Sequence, residues 1–126
     1  MTQEEKDLLL KDLCGRLPYG TMVYAQNTVD WYDSEICPQV LSDVINEDYI
    51  VKPYLFPMSS MTEEQKQYLK NRFCYDWDGE PYDLWKYQIE IGDADELVDW
   101  FHKNHLDYRG LISMGLAIDA TGLNIY

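Results

Sequence analysis

The sequence predicts an α+β fold, a small and mainly antiparallel sheet packed by about three helices, in a single domain spanning residues 1–126. Three observations predict it. Capping boxes at Thr2-Gln3-Glu4-Glu5 and Thr62-Glu63-Glu64-Gln65 each open a segment with apolar residues at helical spacing. Residues 21–55 hold short β-forming runs separated by turn formers. A third helical stripe, Leu97, Val98 and Phe101, follows the acidic start Asp93-Ala94-Asp95-Glu96.

Taken in order, the first helix runs from Thr2 to about Cys14, its stripe carried by Leu9, Leu10 and Leu13, and Gly15 is the natural left-handed stop. Leu17-Pro18-Tyr19-Gly20 breaks the chain. Thr21–Gln26 alternates and reads as a strand, with a second extended segment over Thr28–Tyr32 after a turn near Gln26-Asn27. Residues 33–48 show helical spacing (Val40, Leu41, Val44, Ile45) but are β-branched and bounded by turn formers, so strand and loop is the reading taken. Tyr49–Leu55 is a strand that Pro53 demotes to an edge or a bulge. A compact SH3-like barrel over residues 18–56, with a helical C-terminal half, is the specific form of this expectation.

Pro57–Met61 is a loop feeding the second helix, whose early acids and late Lys66, Lys70 and Arg72 suit the helix dipole. Asp76–Pro81 reads as a turn, Tyr82–Ile91 as an alternating aromatic strand, and the third helix stops near Asn104. Leu111–Gly115 suits a short helical turn, and Leu116–Tyr126 a hairpin bent at Ala120-Thr121-Gly122.

Charge is the strongest compositional signal: 23 acids against 10 bases, net −13. Between Leu17 and Val51 stand six acids (Asp30, Asp33, Glu35, Asp43, Glu47, Asp48) and no Lys or Arg; Tyr87–His102 holds five more, again without a base. Such a field repels nucleic acid and anionic membrane, which disfavours direct binding of either. No apolar run approaches the length of a membrane span, and the N-terminal residues lack a signal-peptide pattern, so a cytoplasmic location is expected. Cys14, Cys37 and Cys74 are odd in number and form no C-x-x-C pair, which fits reduced, mostly buried thiols.

Three stretches carry a resemblance: Lys11-Asp12-Leu13-Cys14-Gly15-Arg16-Leu17-Pro18-Tyr19-Gly20, Lys52-Pro53-Tyr54-Leu55-Phe56-Pro57-Met58-Ser59-Ser60-Met61-Thr62-Glu63-Glu64, and Val98-Asp99-Trp100 through His105-Leu106-Asp107-Tyr108-Arg109-Gly110-Leu111 to Gly115-Leu116-Ala117. Together they resemble a family of small uncharacterised proteins common in Bacteroides-type gut anaerobes, often on prophage or other mobile DNA. That family usually has Arg where Phe56 stands and Phe where Leu106 stands. The resemblance implies an intracellular accessory protein and supplies no activity.

Catalytic and metal signatures are weak. Asp99-x-x-His102-x-x-His105 spaces three donors along one helix face, but zinc needs three or four converging ligands and no further His exists. A solvated helix end, with both imidazoles near the C-terminal dipole, is the expectation, with no metal or cofactor. Asp76-Trp77-Asp78-Gly79-Glu80 fails the calcium-loop pattern because Pro81 takes the place of its glycine. Gly110 and Gly115 have P-loop spacing, but Leu116-Ala117 replaces Lys-Ser/Thr. No G-x-S-x-G elbow occurs.

With 11 Tyr, 4 Trp and 3 Phe, the chain is rich in residues that suit interfaces. Phe56, Met58 and Met61 are partner-contact candidates because Met-rich loops adapt to partners; a hydrophobic staple onto the next helix is the commoner use of such residues. Tyr108 and Arg109 complete the candidate set. The expected function is a non-catalytic protein-binding domain. The alternatives are an acidic mimic of nucleic acid and an enzyme of unrecognised type.

Overall fold

The computed structural model describes residues 1–82 and 91–126. Helix α1 (Gln3–Arg16) leads through a 3-10 turn to strands β1 (Met22–Gln26) and β2 (Trp31–Glu35). Helix α2 (Pro38–Ile45), strand β3 (Ile50–Pro57) and helix α3 (Glu63–Phe73) follow. Helix α4 (Ile91–Lys103) and the short strands β4 (Leu106–Asp107) and β5 (Ile118–Asp119) complete the described elements. The fold is α+β, with an open sheet ordered β2-β1-β3-β4 and β5 also paired to β3. The β1–β2 and β1–β3 pairs are antiparallel, and the two short pairs, β3–β4 and β3–β5, are parallel. The sheet does not close, so the barrel expected for residues 18–56 does not form.

Both capping boxes are present. Thr2 Oγ1 accepts the Glu5 N–H while Glu5 accepts the Thr2 N–H, and Thr62 and Gln65 do the same at α3. Each cap is worth about 1 kcal/mol. Helix α1 runs through Gly15 to Arg16, and the left-handed residue is Gly20, at φ 67°. Two contacts carry the helix past Gly15, one within it and one tertiary. Arg16 pairs with Asp12 one turn back, and the imidazole of His102 lies against the bare Cα of Gly15.

Residues 38–45 form α2 rather than strand and loop. Pro38 occupies the first helical turn, where its missing N–H costs nothing. Val40 and Val44, one turn apart, pack under the sheet with Leu9, Leu13, Val23, Ala25, Ile36 and Val51. That burial outweighs the modest β-propensity of branched side chains, at roughly 1.5–3 kcal/mol for each fully buried residue. The hairpin before it turns at residues 27–30, where Asn27 Oδ1 accepts the N–H groups of Val29 and Asp30, so β2 begins at Trp31.

Strand β3 is central, not an edge, despite Pro53. The backbone bonds Asn27 N–H to Asp30 O and Ile36 N–H to Thr21 O fix the alternation of the β1–β2 ladder. By the same alternation, the facing pair Val23 and Pro53 is a non-hydrogen-bonded one between β1 and β3, so the proline removes no bond there.

A second core unites α3, α4 and β4: Met58, Met61, Leu69, Phe73, Leu97, Phe101, Leu106 and Tyr108. The strand expected over Tyr82–Ile91 falls on residues 83–90, outside the described residues, and Ile91 already belongs to α4. Residues 111–116 make tight turns closed by Met114 N–H to Leu111 O and Leu116 N–H to Leu111 O. The expected C-terminal hairpin is replaced by a parallel pairing of Ile118–Asp119 with Tyr54–Leu55. Cys14 and Cys74 are exposed and Cys37 is half-buried, so the thiols are free but not core residues as expected.

Candidate interaction surface

The histidines of α4 and its end are built into the interior. His102 is buried, its Nε2 2.8 Å from the Tyr108 hydroxyl. Burial, then the positive charge of Arg16, holds its pKa down to about 4. His105 follows the helix at φ 54°, with its Nδ1 3.2 Å from Thr21 Oγ1 and its pKa lowered to about 4, again mainly by burial. These are neutral packed imidazoles, which corrects the expectation of a solvated helix end. Among the described residues no group of three His, Cys, Asp or Glu side chains is placed to hold a metal ion.

Tyr108 and Arg109 belong to a charge network that no local motif announces. Asp12, fully buried, accepts Arg16 Nε at 2.8 Å on one oxygen and Arg109 Nε at 3.1 Å on the other. Arg16, also fully buried, donates to Leu106 O at 2.7 Å. Both guanidinium groups lie over the Tyr108 ring, at 5.4 and 4.9 Å. Beside them Asp107 accepts the N–H groups of Leu111 and Ile112; burial raises its pKa and those bonds oppose the rise.

The other expected contact residues separate. Met58 and Met61 are each 5% exposed in the α3–α4 core, where they fasten the loop to the following helix. Met58 and Arg109 meet on a cleft of about 470 Å³ with Trp77, Ile112 and Met114. Phe56 lies apart, in a second cleft of about 430 Å³ beside His105 and Asn104.

Among the described residues, three of the most exposed large apolar side chains lie elsewhere, on the sheet and its hairpin tip. Side chains alternate faces along a strand. Val23, Ala25 and Val51 point at α1 and α2. The opposite face carries Tyr24 from β1, Trp31, Asp33 and Glu35 from β2, and Ile50 and Lys52 from β3. Trp31 is 60% exposed and stacks on Tyr24, with ring centroids 6.0 Å apart. Ile50 is 61% exposed, and Val29, at the hairpin tip, 88%. Asp33 accepts the Tyr54 hydroxyl at 2.8 Å; burial and this carboxylate push the Tyr54 pKa up to about 12.

Tyr24 and Trp31 were not among the sequence candidates. The alternation of β1 assigns Tyr24 to the face opposite Val23 and Ala25, but which face a helix covers is a tertiary fact.

Among the described residues no helix is long and apolar enough to cross a membrane. No family model, no curated protein and no solved structure matches this chain.

Proposed function

We propose that this chain is a non-catalytic protein-binding domain and that the exposed sheet face around Tyr24 and Trp31 is its contact surface. The observation that supports this most is the stacked Tyr24–Trp31 pair, presented on a face with Ile50 and bordered by Asp33 and Glu35. Exposed aromatics at the centre of a contact, with charges at its rim, are the arrangement from which interface hot spots are made. The resemblance to small proteins of prophages and other mobile DNA is part of the same proposal, an accessory role in the cytoplasm.

The acidic-mimic alternative is weakened by how the carboxylates are used. Asp43 is buried and accepts from Tyr32 and Gln39, while Asp93 and Glu96 are paired with Arg72. Asp43 is thereby unavailable as a phosphate substitute, Arg72 offsets the charge of Asp93 and Glu96, and Lys52 interrupts the sheet face.

The test is capture of a partner, followed by affinity measurement at low and high salt with Trp31→Ala and Tyr24→Ala. Loss of Trp31 should weaken binding by about tenfold or more, with the fold intact and binding persisting in salt. Near-complete loss in salt, with duplex DNA competing for the partner, would replace this reading with the mimic.

A further inference from the structure

We infer that the partner engages the sheet by adding a basic, extended segment to the edge of β2 that no described strand covers. This rests on the protein-binding reading and deepens it by naming the partner's chemistry. In the strand order, β2 has β1 on one side and, among the described residues, no strand on the other. The bonds from Asn27 to Asp30 and from Ile36 to Thr21 fix which backbone groups face β1. By alternation, those of Trp31, Asp33 and Glu35 face outward.

Two of the outward groups are satisfied locally. The Trp31 N–H donates to Asp30 Oδ1 at 2.8 Å, and the Glu35 carbonyl accepts the Ser34 hydroxyl at 2.8 Å. Between them the N–H and C=O of Asp33 carry no hydrogen bond among the described residues, so the middle of the edge is open to an incoming strand. Lysine, proline and a bulge are absent from Trp31–Glu35, so the defence of this edge is its two carboxylates, Asp33 and Glu35, which a basic strand would not meet as a repulsion.

Charge selects the occupant. An added strand lays alternate side chains beside Trp31, Asp33 and Glu35 on the open face. Cations there meet two carboxylates and the faces of the Tyr24–Trp31 pair. No Lys or Arg lies between Leu17 and Val51, so no cation of the hairpin competes for those carboxylates; Asp33 accepts the Tyr54 hydroxyl on one oxygen and keeps the other. A second copy of this chain is the wrong occupant. Two β2 edges would set Asp33 and Glu35 against their own kind, and each chain carries a net charge of −13.

The experiment titrates two synthetic peptides of about eight residues into the isotope-labelled full chain. One alternates Lys with Val and the other Glu with Val. The basic peptide should slow amide exchange at Asp33 and Glu35 and shift the Trp31 indole resonance, and the acidic peptide should do neither. Glu35→Lys, an exposed change, should weaken the basic peptide about tenfold, because one attraction becomes one repulsion. A shifted Trp31 with unchanged exchange at Asp33 and Glu35 would overturn strand addition while leaving the protein-binding reading in place. No response to the basic peptide would also overturn it; the reading itself then stands or falls on partner capture by Trp31→Ala.

Discussion

The ring of Tyr126 lies flat on the imidazole of His105, with centroids 3.8 Å apart and planes 8° from parallel. That stack places the Tyr126 hydroxyl where a ladder bond between β1 and β3 would otherwise run. The Met22 N–H donates to it at 3.0 Å, and it donates to the Tyr54 carbonyl at 2.6 Å. One phenol thus ties residue 126 to two central strands.

Tyr126→Phe keeps the stack and removes both bonds. The loss should be about 1–2 kcal/mol, read from urea denaturation, because water partly replaces the bonds at this half-exposed site. A change below a few tenths would mean that the hydroxyl contributes no latch.

His105 makes stability depend on pH. Its folded pKa is lowered to about 4 from an ordinary 6.5, so below 6.5 the unfolded chain takes up a proton that the folded chain refuses. The His105 contribution is therefore complete above pH 6.5 and is lost as pH falls from 6.5 towards 4. His102, lowered to about 4 as well, acts in the same direction. Asp107, raised by burial, acts oppositely, its contribution growing as the pH falls. Denaturation curves at several pH values should show a shallower fall in His105→Asn. Asn suits the left-handed backbone at φ 54° and does not titrate.

Gly15→Ala should destabilise, although alanine normally gains up to about 1 kcal/mol over glycine inside a helix. A Cβ at residue 15 would stand 2.8 Å from His102 Cε1, and that ring is buried and held at Tyr108. Overpacking of this kind costs roughly 1–3 kcal/mol, which reverses the sign. A raised melting temperature would show that His102 yields freely.

Asp12→Asn should be among the most damaging polar changes. It leaves two guanidinium groups facing a neutral amide, and breaking a buried pair costs about 3–5 kcal/mol. Arg109→Ala should cost markedly less, since Arg109 is 21% exposed and Arg16 keeps Asp12 compensated. Equal losses in chemical denaturation would mean that Arg109, not Arg16, is the essential partner.

How legible each part was follows from the distance over which its cause acts. The capping boxes at Thr2 and Thr62 were readable because both partners of each bond lie within three residues. The stripe with Leu97 and Phe101 was readable for a similar reason, since both sit on one face of one helix and both are fully buried. Helix α2 was misread because Val40, Val44 and Ile45 satisfy two patterns at once, and only the core beneath β1 and β3 chooses between them.

The sequence by itself determined the α+β class, the two capped helix starts, the strand runs that became β1 and most of β3, and the acidic, aromatic-rich character. All of these are properties of neighbouring residues or of composition. Tertiary structure alone decided that Pro53 sits in a central strand, that Gly15 stays helical beneath His102, and that Asp12 meets Arg109 across 97 positions. It also decided that Tyr24 and Trp31 are left on an uncovered face. The physical reason is common to all four. A buried charge pair, a close approach to glycine, a ladder position and an uncovered face each depend on which distant segment packs opposite, and no window along the chain contains that partner.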